Sequence, residues 1–180
     1  MVRIKNNVYI YLAVLILLVP VPWLAAWLIS VSFHELCHYL FVRLFGGRVH
    51  RVTIGIGGAE MESTTLPKYQ CVIALLAGSI GGLLLTLLGR CLPRTALCSG
   101  LLSVYNLLPF SFLDGGRILL TLFGERAGGL VEHTFLVVLS AAAIYLVFAM
   151  QVGALPIAIV AGLWLKKVKS SCKASSFKVQ

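Results

Sequence analysis

The sequence predicts an all-α polytopic membrane protein of about six transmembrane helices, with a small β-hairpin after the second. Composition is the first ground: 59% of the 180 residues are hydrophobic and 12% are charged, and the mean hydropathy is +0.98. Soluble domains run about 45 to 50% apolar and about 25% charged, so a water-soluble globule, a disordered chain and a disulfide scaffold are all excluded. The second ground is the recurrence of apolar runs near the roughly 20 residues that one crossing takes. The third is the single stretch that breaks this pattern, Arg48 to Ser63, where β-branched residues alternate with small ones.

The elements follow in order. Asn7 to Val19 is a short apolar run after Arg3 and Lys5. No small-x-small site follows it, so it reads as a first helix that turns at Pro20 and Pro22 and not as a signal peptide. Pro22 to Phe45 is the second span, stopped by Gly46-Gly47. In Arg48 to Ser63, Val52, Ile54 and Ile56 alternate with Thr53 and Gly55, which gives the hairpin. Its glycines do not complete a dinucleotide fingerprint, because Glu60 stands at the third position. Cys71 to Leu88 is the third span, and the fourth runs from Thr95 into Asn106-Leu107-Leu108-Pro109, where proline and then Asp114-Gly115-Gly116 interrupt the helix. Gly129 to Met150 and Ala154 to Leu165 are the fifth and sixth, and Lys166 to Lys178 is a flexible basic tail. The whole forms a single membrane-embedded domain over 1–180, with a core at about 20–125, extra C-terminal helices at 129–165 and the tail at 166–180.

The net charge of +9, from 15 Lys and Arg against 6 Asp and Glu, does not signal nucleic acid. Its carriers flank apolar stretches, where they set topology and meet anionic headgroups of the lipid bilayer. With six spans and cytoplasmic termini, only Arg90 and Arg94 fall outside, as the positive-inside rule requires. The five cysteines lack paired spacing and read as apolar filler.

Chemistry is concentrated in the second span, at His34-Glu35-Leu36-Cys37-His38. Histidines four apart share one helical face, so both imidazoles can reach one metal, while Glu35 is offset to the side where it can act on a water. An ionisable residue kept inside an apolar helix faces the protein interior and has a partner. The bland alternative is a pair of interhelical hydrogen bonders, which leaves the spacing unexplained. Catalytic zinc takes three protein ligands. Asp114, the one aspartate in the chain, lies on backbone freed by proline and paired glycines and is the candidate third ligand. Its alternative role is a helix N-cap.

These residues resemble a known family, the site-2 proteases, which are intramembrane zinc metalloproteases. His34-Glu35-x-x-His38 matches the family's first motif and Asn106-x-x-Pro109-x-x-x-x-Asp114-Gly115 its second, while Gly78-Ser79-Ile80-Gly81-Gly82 looks like its small-residue segment. The resemblance implies His34, His38 and Asp114 as ligands of one Zn²⁺ per chain, Glu35 as general base, and Asn106 as a polar group contacting substrate or the developing oxyanion. It also implies an integral membrane protein, of a bacterial cell membrane, that hydrolyses peptide bonds in or near transmembrane segments of a membrane-associated protein substrate. The short first helix and the hairpin look most like the sporulation stage IV protease subgroup, which processes a pro-sigma factor; an anti-sigma factor is the other substrate of this kind. That subgroup often carries a C-terminal CBS domain, whereas here a short Lys segment ends the chain. The resemblance leaves room for an inhibitory membrane partner. Cys37 stands where the family has a small glycine.

Several positions are expected to be less informative. Ser30 or Tyr105 would take the second N–H of an imidazole. Gly78, Gly81 and Gly82 are expected to serve packing. His50, His133 and Glu132 read as interfacial residues and Glu60 and Glu62 as a solvated edge, although the hairpin as a whole offers a strand to which unwound substrate could add. The competing function is a metal-ion or proton transporter built on the same cluster, which predicts polar residues continuing to the far face. The outer halves of the spans are almost purely aliphatic, against that prediction.

Overall fold

A computed structural model describes residues 2–4, 13, 15–55, 58–64, 66–151 and 153–177. The chain divides into two compact units, residues 1–107 and 108–180. In the first, strand β1 (Val2–Ile4) is followed by helix α1 (Val21–Leu44), strands β2 (Val49–Gly55) and β3 (Gly58–Ser63), helix α2 (Lys68–Leu85), a 3₁₀ turn (Thr86–Arg90) and helix α3 (Pro93–Asn106). The second holds α4 (Asp114–Met150) and α5 (Leu155–Phe177). Most of the expected first helix, Asn7 to Val19, lies outside the described residues; 13 and 15–18 are helical.

Helix α1 starts after Pro20 as its N-cap and carries Pro22 in its first turn, where a missing N–H costs nothing. It ends in a paired cap: Gly46 N–H donates to Arg43 O (3.0 Å) and Gly47 N–H to Val42 O (2.9 Å). Gly46 adopts φ +77°, the left-handed conformation that this cap needs. Along the helix Ala26, Ser30, His34, His38 and Val42 are buried at intervals of four residues, one continuous stripe. It faces Ala74, Ala77, Gly78, Ser79 and Gly82 of α2 and Thr95, Ala96, Ser99 and Ser103 of α3, all buried.

The interior of this unit is therefore small and hydroxylic, and the large apolar side chains, such as Leu40, Leu84 and Leu101, are exposed. That inversion fits a bundle in lipid, where burying leucine gains little and close backbone approach with interhelical hydrogen bonds gains more. Ser30 Oγ lies 2.8 Å from Ala26 O and 3.2 Å from Thr95 O, Ser99 Oγ donates to Gly82 O (2.9 Å) and Ser103 Oγ to Ser99 O (2.8 Å).

β2 pairs antiparallel with β3, Val52 opposite Met61 and Ile54 opposite Ala59, with a register shift between Val49 and Arg51. The two residues between these strands lie outside the described set. β1 adds in parallel on the other side of β2, Val2 opposite Val52 and Ile4 opposite Ile54, so the order is β1-β2-β3. β1 was not anticipated. Among the described residues it leaves β3, and not β2, as the hairpin strand with an unpaired edge.

In the second unit α4 is broken at Gly124 (φ +80°, ψ 172°), backbone that only glycine adopts without strain. A straight helix would carry Leu136 about 33 Å from Asp114. Instead, a Cβ on Gly128 would lie 3.3 Å from the Leu120 backbone, and Phe135 meets Phe110 edge to face at 5.6 Å between ring centres. Gly124 thus folds α4 into two antiparallel arms, and the second arm closes over the loop 108–113. There Phe110, Leu113 and Leu136 form a buried core with Leu108, Phe112, Phe135, Leu163 and Trp164 packed around it. Trp164 Nε1 donates to Ser140 Oγ (3.2 Å), and Lys166 Nζ sits 3.8 Å from the Phe112 ring centre. Burial there lowers the Lys166 ammonium from the usual lysine range.

By length and composition three described helical stretches can cross a membrane: Val21–Leu44, Lys68–Arg90 and, counted through the turn at Gly124, Asp114–Ala149. They make the chain an integral membrane protein. The expectation of six spans also counted Asn7 to Val19, α3, which at 14 residues is short for a crossing, and the apolar start of α5. The helix that contains the expected fifth span begins already at Asp114, and α5 continues through the Lys-rich segment to Phe177.

Candidate metal centre

His34 and His38 project from the buried stripe of α1, their rings edge to face at 4.6 Å between centres. His38 Nδ1–H donates to the backbone carbonyl of Ala74 on α2 at 2.7 Å. This fixes the tautomer: in the neutral ring the proton sits on Nδ1 and Nε2 is the basic nitrogen. That Nε2 lies 3.0 Å from Nε2 of His34. The Asn106 amide, at the end of α3, donates from Nδ2 to the same His34 nitrogen at 3.3 Å. The two Nε2 atoms thus converge in a buried site. Imidazole nitrogen is a ligand of choice for zinc and its neighbours in the first transition row. On this test the residues fit a metal ion.

The pocket around the rings is made by absence. A Cβ on Gly78 would fall against His38 Nε2 and Cε1 and 2.9 Å from His34 Cε1. Gly78 therefore does more than pack helices, as the sequence suggested; it leaves room for the imidazoles. One turn on, a Cβ on Gly81 would meet Cys37 Sγ. The bulk that Cys37 adds in the first motif is thus accommodated on α2. Glu35 is half-buried on α1, one residue and about 100° round from His34.

Asp114 is buried as the first residue of α4. It does not occupy the N-cap position, which belongs to Leu113, and it lies in the first turn, where the helix end favours negative charge. Gly115 and Gly116 beside it are also buried, and a Cβ on Gly116 would strike the Phe110 carbonyl. The second motif's glycine thus lets the helix start close under the preceding loop. His34, His38 and Asp114 make up a group of buried ligating residues that could hold a metal ion.

The expected imidazole partners are not used for His38. Its acceptor is Ala74 O; the Ser30 hydroxyl lies against Ala26 O and Thr95 O, and Tyr105 is exposed. A backbone carbonyl carries no mark in sequence, which is why it was missed. Glu132, expected at an interface, is 5% exposed, with Ser111 Oγ donating to its Oε1 at 3.3 Å. His50 is exposed, and His133 packs edge to face on Trp164 at 5.4 Å.

No curated protein matches the chain. The family model described as Peptidase family M50 matches residues 86–150, a span that holds Asn106 and Asp114 but not the histidine pair. Among solved structures the chain is similar to the site-2 protease from Methanocaldococcus jannaschii, with 19% identity and a TM-score of 0.63 over 93% of this chain and 89% of that one. The chain therefore shares the fold of a site-2 protease.

Proposed function

We propose that this protein is an intramembrane metalloendopeptidase in which His34, His38 and Asp114 hold one divalent ion, Zn²⁺ by donor type. The observation that carries the reading is the pair of facing Nε2 atoms, 3.0 Å apart, with His38 locked by Ala74 into its ligating tautomer. The likeness to a site-2 protease and the M50 match over the second motif support it. A held ion supplies Lewis acidity to a water and a peptide carbonyl. Glu35 accepts the proton of the attacking water and returns it to the leaving amine. Asn106, whose Nδ2 reaches the histidine pair, donates its N–H to the substrate carbonyl oxygen as that oxygen gains charge.

The substrate is a membrane-associated protein cut in or near a transmembrane segment, as in regulated intramembrane proteolysis of a pro-sigma or anti-sigma factor. The unwound segment adds to the sheet at β3, whose outer edge is unpaired in the three-stranded order. Both termini lie on the cytoplasmic side. The transporter reading gains no observation of its own.

Purified protein with Glu35→Gln decides the matter. It should bind about one Zn²⁺ per chain, as wild type does, and fail to cleave a membrane-tethered substrate; cleavage at the wild-type rate would remove Glu35 as base. Loss of Zn²⁺ from His38→Ala and Asp114→Ala completes the test, and wild-type affinity in either removes that ligand.

A further inference from the structure

Buried carboxylates in membrane proteins are costly and are kept for a reason. Glu132 is 5% exposed on the second arm of α4, and the chemistry above does not use it. Its neighbours on the same helical face, Phe135 and Leu136, pack against the loop 108–113 through Phe110 and the core around it. Glu132 adds a polar contact between the second arm and this loop: Ser111 Oγ donates to Glu132 Oε1 at 3.3 Å.

Ser111 stands three residues before Asp114. Between them the chain is tied by Leu113 N–H to Phe110 O (2.8 Å), and the helix then begins with Arg117 N–H to Leu113 O (3.0 Å). Phe110 is held from below by Gly116 and stacks on Phe112 at 5.4 Å, with the rings 6° from parallel. The loop is thus gripped at Phe110 and Phe112 by rings and at Ser111 by a carboxylate. Apolar contacts fix where the loop lies with only weak directionality. A hydrogen bond is directional.

We propose that Glu132 is a positioning residue for Asp114: acting through Ser111, it sets the rotation of the loop and so the direction from which the Asp114 carboxylate enters a metal site. This rests on the reading of Asp114 as a ligand. Residues that orient a ligand are typically worth about 10- to 100-fold in metal affinity. Glu132→Gln keeps an acceptor oxygen in place, Glu132→Leu keeps bulk without one, and Ser111→Ala removes only the donor.

The test is titration of the full-length protein in detergent with Co²⁺ alone, read by its visible absorption. Glu132→Leu and Ser111→Ala should each weaken Co²⁺ by about tenfold or more, and Glu132→Gln should stay within about threefold of wild type. The double variant Ser111→Ala/Glu132→Leu should be no weaker than the weaker single, because the two residues act as one bond. Wild-type affinity in Ser111→Ala overturns the proposal, as does additivity in the double variant. If Glu132→Leu fails to fold, Ser111→Ala decides alone. Asp114→Ala separates the two levels: if it loses Co²⁺ while Ser111→Ala keeps it, only the positioning role falls, and if it keeps Co²⁺, the ligand assignment falls and the positioning role with it.

Discussion

His38 and Ala74 are joined by a 2.7 Å hydrogen bond from imidazole Nδ1 to a carbonyl oxygen that lies inside helix α2. In a helix that oxygen also accepts from the N–H four residues on, here Gly78. A Cβ at position 78 would fall against Nε2 and Cε1 of His38, so a side chain there would push the ring away from this carbonyl. The glycine therefore leaves the ring room to reach Ala74 O, and that carbonyl selects the tautomer of His38.

Gly78→Ala should then act on the metal site before it acts on the fold. The expected result is a loss of Zn²⁺ affinity of about 10- to 100-fold, the range for disturbing a residue that orients a ligand, with helical content unchanged by circular dichroism. A zinc competition assay with a chromophoric chelator measures it. Unchanged affinity would mean that the rings do not need the space.

Cys37 and Gly81 should behave as a matched pair. Gly81→Ala places a methyl group against Cys37 Sγ, and overpacking of this kind costs about 1–3 kcal/mol. Cys37→Ala in the same chain should restore most of the loss. Thermal unfolding of the two single variants and the double variant forms the cycle, and strict additivity would contradict the contact.

Gly124→Ala should destabilise the protein by about 1–3 kcal/mol, since φ +80° with ψ 172° is glycine-only backbone. Gly129 is the internal control: it is helical and a Cβ there meets nothing within 4 Å. Gly129→Ala should be neutral or stabilising by about 1 kcal/mol. Equal unfolding temperatures for the two variants would argue against the reversal at Gly124.

The sequence announces some of this architecture and hides the rest for definable reasons. Two histidines four apart in an apolar helix are legible because side-chain type and helical period together specify the face. The stop at Gly46-Gly47 is legible for a similar reason, since a cap needs one residue of positive φ and glycine supplies it. Ala74 is illegible because its contribution is a carbonyl that every residue owns. Gly124 reads like Gly128 and Gly129, and only the backbone angles distinguish the glycine that turns the chain from those that lie within a helix. Glu132 was placed at an interface because its surroundings in sequence are ordinary; its burial is created by the turn at Gly124. Strand β1, three residues long, is too short for alternation to register.

The turn at Gly124 also sets an order of events during biosynthesis. When Asp114 leaves the ribosome, Phe110 and Leu113 have no wall to rest against, because Phe135, Leu136 and Trp164 are still to be made. The first motif can be finished and inserted while the second remains unsupported. A nascent or truncated chain that stops at the turn thus carries both motifs and lacks the wall against which the loop before Asp114 rests.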